Sequence, residues 1–473
     1  MKDSEHDQDG RRDRASLSRR RFLGTVGASA AGLVLTPYLK SADVLAFGYS
    51  GGSDTQVPVA LTQAATYDRT LIKQRVQHLF ESLNGIGDVV KAGNTVAIKI
   101  NLTGGSGSAS SPKLGGKPIT ESMWTHPEVL RAVGELILDC GVSPNDLIIV
   151  ESLWDSASFT NFGYQTVQQS LGARMVDLNK VDPYAAFVTR AVGENKFFYT
   201  SFTVNQILSD VDVYVSIPKL KEHYEAGVTA SLKNQIGMVP KQLYTLPSDT
   251  GRRGALHNEG TTSPTHLPRS ICDLNLARPV HIAVIDGIRN ARGGEGVWNP
   301  TFVVAEDHVL IAGKEPVATD SIAAYLLGHD PEAATIALPG GGACDNYLDL
   351  LHQKGIGTNQ MSEIKPVGDG AGLVTTVLPL SRRATPDSFE LYQSYPNPFN
   401  PSTTFRFNLP HDADVSVRIY DIAGHLVETL VEGRVPQGIH ELRWAPRGLS
   451  SGMYLCMMRA DGYVDSQKMI YQK

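Results

Sequence analysis

Up to about residue 378 the chain alternates short apolar runs of β type with runs of helical periodicity; from Phe389 onward the helical period disappears. This switch is the strongest constraint on the fold. The run TVAIKI at 95–100 follows a Gly-Asn turn. The segment 127–140 (PEVLRAVGELILDC) has apolar residues at helical spacing, starts on a proline behind His126 and stops at Gly141. LIIV at 147–150 is the next apolar run. Strand, helix, strand in that order implies a parallel pair joined by a right-handed crossover. Further strands are expected at 211–217, 281–285 and 309–312, and a helix at 316–327, opened by Pro316 and closed by Gly328. The expectation is an α/β domain with a mostly parallel sheet and flanking helices. Two long polar stretches, 104–116 and 248–268, read as loops, the second holding His257 and His266.

A polar linker, 380–388, separates this region from the tail. In residues 389–473, apolar and polar residues alternate in short runs between turns, which predicts a small all-β, immunoglobulin-like sandwich.

The N-terminus reads as an address. Arg19, Arg20, Phe22 and Leu23 introduce an uncharged run of 18 residues, 22–39. Paired arginines before a mildly apolar stretch fit a twin-arginine (Tat) export signal, with small residues for cleavage near Ala46. The alternatives are a Sec signal and an uncleaved anchor. Gly24, Gly27, Gly32 and Pro37 make the run a weak permanent span. The Tat route carries folded proteins, so the Tat translocase is an expected partner and a cofactor loaded before export is a natural corollary. The domain reading is a signal over 1–46, an α/β domain over 47–379, the linker, and the sandwich over 389–473.

Charge and cysteine content exclude several classes. The formal charge is −6; residues 1–46 hold eight Lys and Arg against six Asp and Glu, which leaves −8 on the remainder. That argues against a general nucleic-acid binder. Cys140, Cys272, Cys344 and Cys456 are far apart with no CxxC, so an iron–sulfur cluster held by this chain is not expected. No second run is long and apolar enough to span a membrane.

The candidate chemistry lies at strand ends. Lys99 and Asn101 close the first clear strand, Glu151 closes the second, Lys219, Lys221 and His223 follow the third behind Pro218, and Asp286 follows HIAVI. In a parallel sheet these are all carboxyl ends, the edge outside which open α/β sheets bind ligands. Lys219, Lys221, His223, Lys233 and Asn234 form the densest group, suited to a carboxylate or phosphate, with one lysine able to act as a base. A divalent metal is the alternative reading, with Glu151, Asp286 and Asp320 as oxygen ligands and His126, His223 and His257 as imidazole ligands. The chain has no Gly-rich phosphate loop and no GxSxG elbow.

Two family resemblances follow from these motifs. YPNPFNPST at 395–403, VRIYDIAG at 417–424 and LSSGMY at 449–454 resemble, in order and over about 80 residues, a type A sorting domain of the type IX secretion system. The alternative is an ordinary β-sandwich adhesion module. The resemblance implies the type IX secretion machinery as partner, a passage through the periplasm and delivery outside the cell or to its outer surface. KINL at 99–102, THPEVLRAV at 125–133, ES at 151–152, IPKLKEH at 217–223, SLKNQIG at 231–237, IDGI at 285–288, and AG at 312–313 through ATD at 318–320 resemble the DUF362 family of uncharacterised domains. Some of its members carry ferredoxin-like cysteine motifs, which this chain lacks.

The combined reading is an exported α/β protein acting on a small anionic molecule. His223, Lys233 and Lys221 are the catalytic candidates. Lys99, Asn101, His126, Lys219 and Asn234 are the substrate-binding ones, and Glu151, Asp286 and Asp320 would hold a metal or orient the others. The competing reading is a non-catalytic solute- or metal-binding module at the cell surface. A purely structural role fits less well with Lys, His and carboxylates gathered at one sheet edge.

Overall fold

The computed structural model describes residues 56–109, 113–114, 117–247, 253–257, 264–299, 301–375, 389–392, 394, 397–435, 438–446 and 448–472. The export signal and the linker lie outside these. The chain divides into two compact units, one reaching Val374 and the other starting at Thr375.

In the first unit, the elements used below run β1 (Val57–Gln63), α1 (Arg69–Ser82), β2 (Val96–Lys99), α2 (Thr120–Met123), α3 (Pro127–Asp139), β3 (Leu147–Glu151), α4 (Tyr164–Leu171) and β4 (Arg174–Asp177). Then come β5 (Val213–Ser216), β6 (Lys219–His223), β7 (Gly227–Thr229), α5 (His266–Ala277), β8 (Ile282–Arg292), β9 (Val303–Ala305), β10 (Val309–Gly313), α6 (Pro316–Leu327) and β11 (Ile364–Val367). The main sheet runs β11-β1-β10-β8-β5-β2-β3-β4, with β6 and β9 on β8 and β7 on β6. Strands β8, β5, β2, β3 and β4 are mutually parallel. Strand β10 runs antiparallel to both β8 and β1.

Local chemistry sets the helix ends. Asp68 accepts from Leu71 N at 2.9 Å to start α1, and the Glu315 carboxylate takes Val317 N and Ala318 N to start α6. Gly328, at φ +94°, ends α6 in the left-handed conformation a side chain would resist. Strands β2, β3 and β5 are buried on both faces, as expected for parallel strands between helices. One core joins Ile72, Val76 and Leu79 of α1 and Val129, Val133 and Ile137 of α3 to Ile98, Ile149 and Val215 of the sheet.

Three expectations need revision. Pro218 does break the strand, since β5 stops at Ser216, but residues 219–223 re-enter the sheet as β6, parallel to β8 and antiparallel to β7. The register of β6 against β8 then shifts between Lys219 and Lys221. HIAVI likewise does not stop at Ile285, because β8 continues through Asp286 to Arg292 alongside β6. The stretch read as an open loop to Pro268 already contains the start of α5, since proline is tolerated in a first helical turn.

The second unit consists of two antiparallel sheets. One joins strands Glu390–Leu391, Thr403–Leu409 and Gly438–Trp444; the other joins Leu426–Val435, Ala413–Asp421, Gly452–Ala460 and Tyr463–Tyr471. Phe405 and Phe407 of the first share a core with Val417, Ile419, Cys456 and Met458 of the second. Alternating inward residues from two sheets are what the period-two pattern requires.

Candidate functional site

The site is assembled from the carboxyl ends of β2 and β3, from β6, and from the turn that follows β7. The side chains of Lys219, Lys221 and His223 are two residues apart on β6, so they share one face. All three are buried, as are Lys99 and Lys233. The register places Lys219 beside Asp286 of β8 and Lys221 beside Thr229 of β7.

Three of the buried lysines are saturated. Lys99 Nζ donates to both Glu151 oxygens at 2.9 Å and to Ile100 O at 2.7 Å. Lys219 Nζ donates to Asp286 Oδ2 at 2.5 Å, Tyr67 Oη at 2.8 Å and Arg289 O at 3.2 Å. Lys221 Nζ donates to Asn101 Oδ1 and Met123 O, both at 2.9 Å, and more weakly to Thr103 Oγ1 at 3.4 Å. An ammonium has three donors, so each is fully used. Only the first two have a carboxylate. Burial pulls Lys99 down and Glu151 up in pKa, while their mutual attraction opposes both shifts. Lys221, with neutral acceptors, is pushed down to about 7 by burial and by Lys233.

Lys233 differs. It is 8% exposed, and among the described residues no group accepts a hydrogen bond from its Nζ or pairs with it. Burial lowers its pKa to about 8, against the pull of Glu295 and Glu225. It sits at the start of a short 3-10 segment, Lys233–Met238, whose approach is pinned from α6. Asp320 accepts from Ser231 N at 2.9 Å, Ser231 Oγ at 2.6 Å and Leu232 N at 2.8 Å. Asn234 sits alongside, accepting from Asn101 Nδ2 at 3.2 Å and donating to Ser216 Oγ at 3.1 Å.

Two histidines border Lys233 with tautomers fixed by their partners. His223 Nδ1 accepts from Glu225 N at 3.0 Å and Ala226 N at 3.2 Å, so the neutral ring carries its proton on Nε2. The Nε2 is 3.8 Å from Glu295 Oε2, beyond hydrogen-bond reach. His257 Nδ1 faces Arg253 O at 3.2 Å and must be the N–H there, which leaves Nε2 as a lone pair. Burial and the charge on Lys233 keep both rings neutral, His257 down at about 4 and His223 well below its ordinary value. The result is a buried group of amine, N–H donor and imidazole base.

The three carboxylates named as metal ligands hold different things: Glu151 holds Lys99, Asp286 holds Lys219, and Asp320 holds backbone. Among the described residues no group of three or more His, Cys, Asp or Glu side chains is placed to bind a metal ion. His126 lies apart from His223. Its backbone N–H donates to Asp286 Oδ2 at 2.9 Å, its ring stacks on Tyr67 at 3.7 Å, and its Nδ1 accepts from Glu128 N to cap α3. It lines an adjacent cleft of about 360 Å³ with Glu121, Trp124, Arg131 and Tyr164. The segment from α2 to His126 separates that cleft from Lys221, which bonds Met123 O.

Residues 96–325 match the family model described as a domain of unknown function, DUF362. Residues 393–472 match that of a secretion system C-terminal sorting domain. The chain is also similar, at 25% identity over 280 residues, to a thylakoid-associated protein of Synechocystis sp.; the alignment covers 58% of this chain and 75% of that protein. Two solved structures align over short segments. PorZ, a surface component of the type-IX secretion system of Porphyromonas gingivalis, aligns at 20% identity and a TM-score of 0.14, over 21% of this chain and 13% of PorZ. CopC from Methylosinus trichosporium OB3b aligns at 22% identity and a TM-score of 0.13, over 18% of this chain and 91% of CopC. The chain thus carries a DUF362 domain and a sorting domain that indicates a secreted or cell-surface protein. No described helix is long and apolar enough to cross a membrane.

Sequence reasoning missed Thr229 and Glu295. Thr229 Oγ1 is buried with no hydrogen-bond partner among the described residues, beside Lys221 on the shared face. Glu295 stands in the Gly-rich turn, where it accepts from Trp298 Nε1 and Tyr224 N and faces His223. The two-residue spacing of KLKEH is the one signal that pointed to a strand and hence to Thr229; nothing local marks Glu295.

Proposed function

We propose that the DUF362 domain binds a small anionic molecule at Lys233 and acts on it by proton transfer, with His223 Nε2–H as donor and His257 Nε2 as base. The supporting observation is Lys233 itself: a nine-tenths buried amine with no hydrogen-bond partner among the described residues, next to Lys221, which bonds only neutral oxygens. An unpaired buried ammonium is costly, so the site favours a ligand that brings negative charge. Lys99 and Lys219 act indirectly in this reading, positioning Glu151, Asp286 and the strand ends around Asn101 and Asn234. Export starts through the twin-arginine route, at Arg19 and Arg20, and ends at the type IX machinery.

The test is calorimetric titration of the full-length protein with oxalate, phosphate and citrate, alongside Lys233→Met. At least one anion is expected to bind the wild type, and the variant should lose it while keeping its unfolding midpoint. Equal binding by both proteins would remove Lys233 from the site.

A further inference from the structure

Every proton of Lys99, Lys219 and Lys221 is directed at an acceptor, whereas among the described residues no group accepts from Lys233 Nζ. A buried lysine beside another cation gives up its proton more readily than an exposed one, and the fraction that has lost it carries the lone pair of a nucleophilic lysine. Two donors near it also lack a hydrogen-bond acceptor: His223 Nε2–H, and the orphan hydroxyl of Thr229 next to Lys221. A ligand with a carboxylate for the donors and a carbonyl for the amine would use all three groups.

We infer that Lys233 condenses with the carbonyl of small 2-oxo acids to form an imine, the carboxylate being held by His223 Nε2–H and the Thr229 hydroxyl. This rests on the anion-site reading above. The Lys233 Nζ lone pair attacks the carbonyl carbon, and the C=O π pair moves to oxygen, which is protonated. The nitrogen loses one of its protons, which His257 Nε2 is able to carry. The C–O bond then breaks as the nitrogen lone pair forms C=N. The oxygen leaves as water with the proton shed by nitrogen and one from solvent. No oxidant or reductant takes part.

The experiment treats the full-length protein with pyruvate or glyoxylate and cyanoborohydride, then maps the reduced adducts by peptide mass spectrometry. The expected result is one dominant adduct, on Lys233. At pH 8 it should form about a hundredfold faster than on a free model lysine, whose ordinary pKa is about 10.4, because the Lys233 amine is lowered to about 8. Excess oxalate should suppress it, and Lys233→Arg and Lys233→Met should both lack it. Thr229→Val should slow trapping of the oxo acids but not of propanal. Adducts spread over exposed lysines, unchanged in the two variants, would overturn the inference; the wild-type map decides this even if a variant misfolds. Oxalate binding that depends on Lys233 without any adduct there would sink the imine and leave the anion site standing. Loss of both would remove both readings.

Discussion

At the residue scale the site depends on contacts that leave no room for an extra atom. Gly237 follows Lys233 within the same 3-10 segment, and a Cβ there would lie 2.7 Å from Lys99 Nζ and 2.8 Å from Glu151 Oε1. Gly237→Ala must therefore separate a buried ion pair. Separating such a pair costs about 3–5 kcal/mol when one partner is deleted, and the alanine should cost some fraction of that. Chemical denaturation should show a lower midpoint, while Glu151→Gln, which removes the charge itself, should come near the full loss. Lys233 gives a second prediction. Glu295 favours its charged form, so Glu295→Gln should lower the Lys233 pKa below its value of about 8. Reductive methylation followed by NMR titration of the labelled lysines would read that shift, and an upward movement would contradict the electrostatic arrangement.

At the element scale, α6 controls where Lys233 stands. Asp320 grips the Ser231–Leu232 backbone that leads into the 3-10 segment, and burial raises its pKa to about 7. A carboxyl whose folded pKa exceeds its unfolded value of about 3.9 holds its proton longer in the native state. Its contribution is thus most favourable below pH 4 and falls as pH rises towards 7. Asp320→Asn should remove that part of the stability–pH slope. It should also weaken anion binding, because an amide N–H would face backbone donors that need an acceptor. Stability profiles of both proteins from pH 4 to 8 check this; parallel profiles would show that Asp320 does not titrate in that window. Strand β6 shows the reverse relation between element and residue. Its alternation was printed in KLKEH, yet Pro218 suggested a break. Pairing on both sides, with β7 and β8, restored the strand. Long-range pairing of this kind overrides a local signal because each ladder bond satisfies a backbone group that would otherwise be buried unpaired.

At the scale of the whole molecule, the chain divides into a unit that matches the DUF362 model and a β-sandwich unit that matches the sorting-domain model. The sandwich has its own core, built from both of its sheets. Truncation before Phe389 should leave the site of the first unit intact and stop release from the cell. Fractionation should then find the protein in the periplasm with its anion binding unchanged. Replacing Arg19 and Arg20 with lysines should hold the full-length chain in the cytoplasm, and secretion of that variant would redirect the proposal to a Sec route.

The sequence by itself determined the kinds of elements and their order, because the 2.0 and 3.6 residue periods are local properties of the chain. It also determined that Lys99 and Glu151 close their strands and that the tail carries a sorting motif, whereas Lys219 opens β6 and Asp286 lies within β8. Only the tertiary structure decided which of four buried lysines has no hydrogen-bond partner among the described residues. Ion pairing falls off over a few ångströms, and those distances are set by register between β6, β7 and β8, which no single segment encodes. Lys99 and Lys219 met carboxylates, Lys221 met neutral oxygens, and Lys233 met no acceptor among the described residues, although all four look alike along the chain.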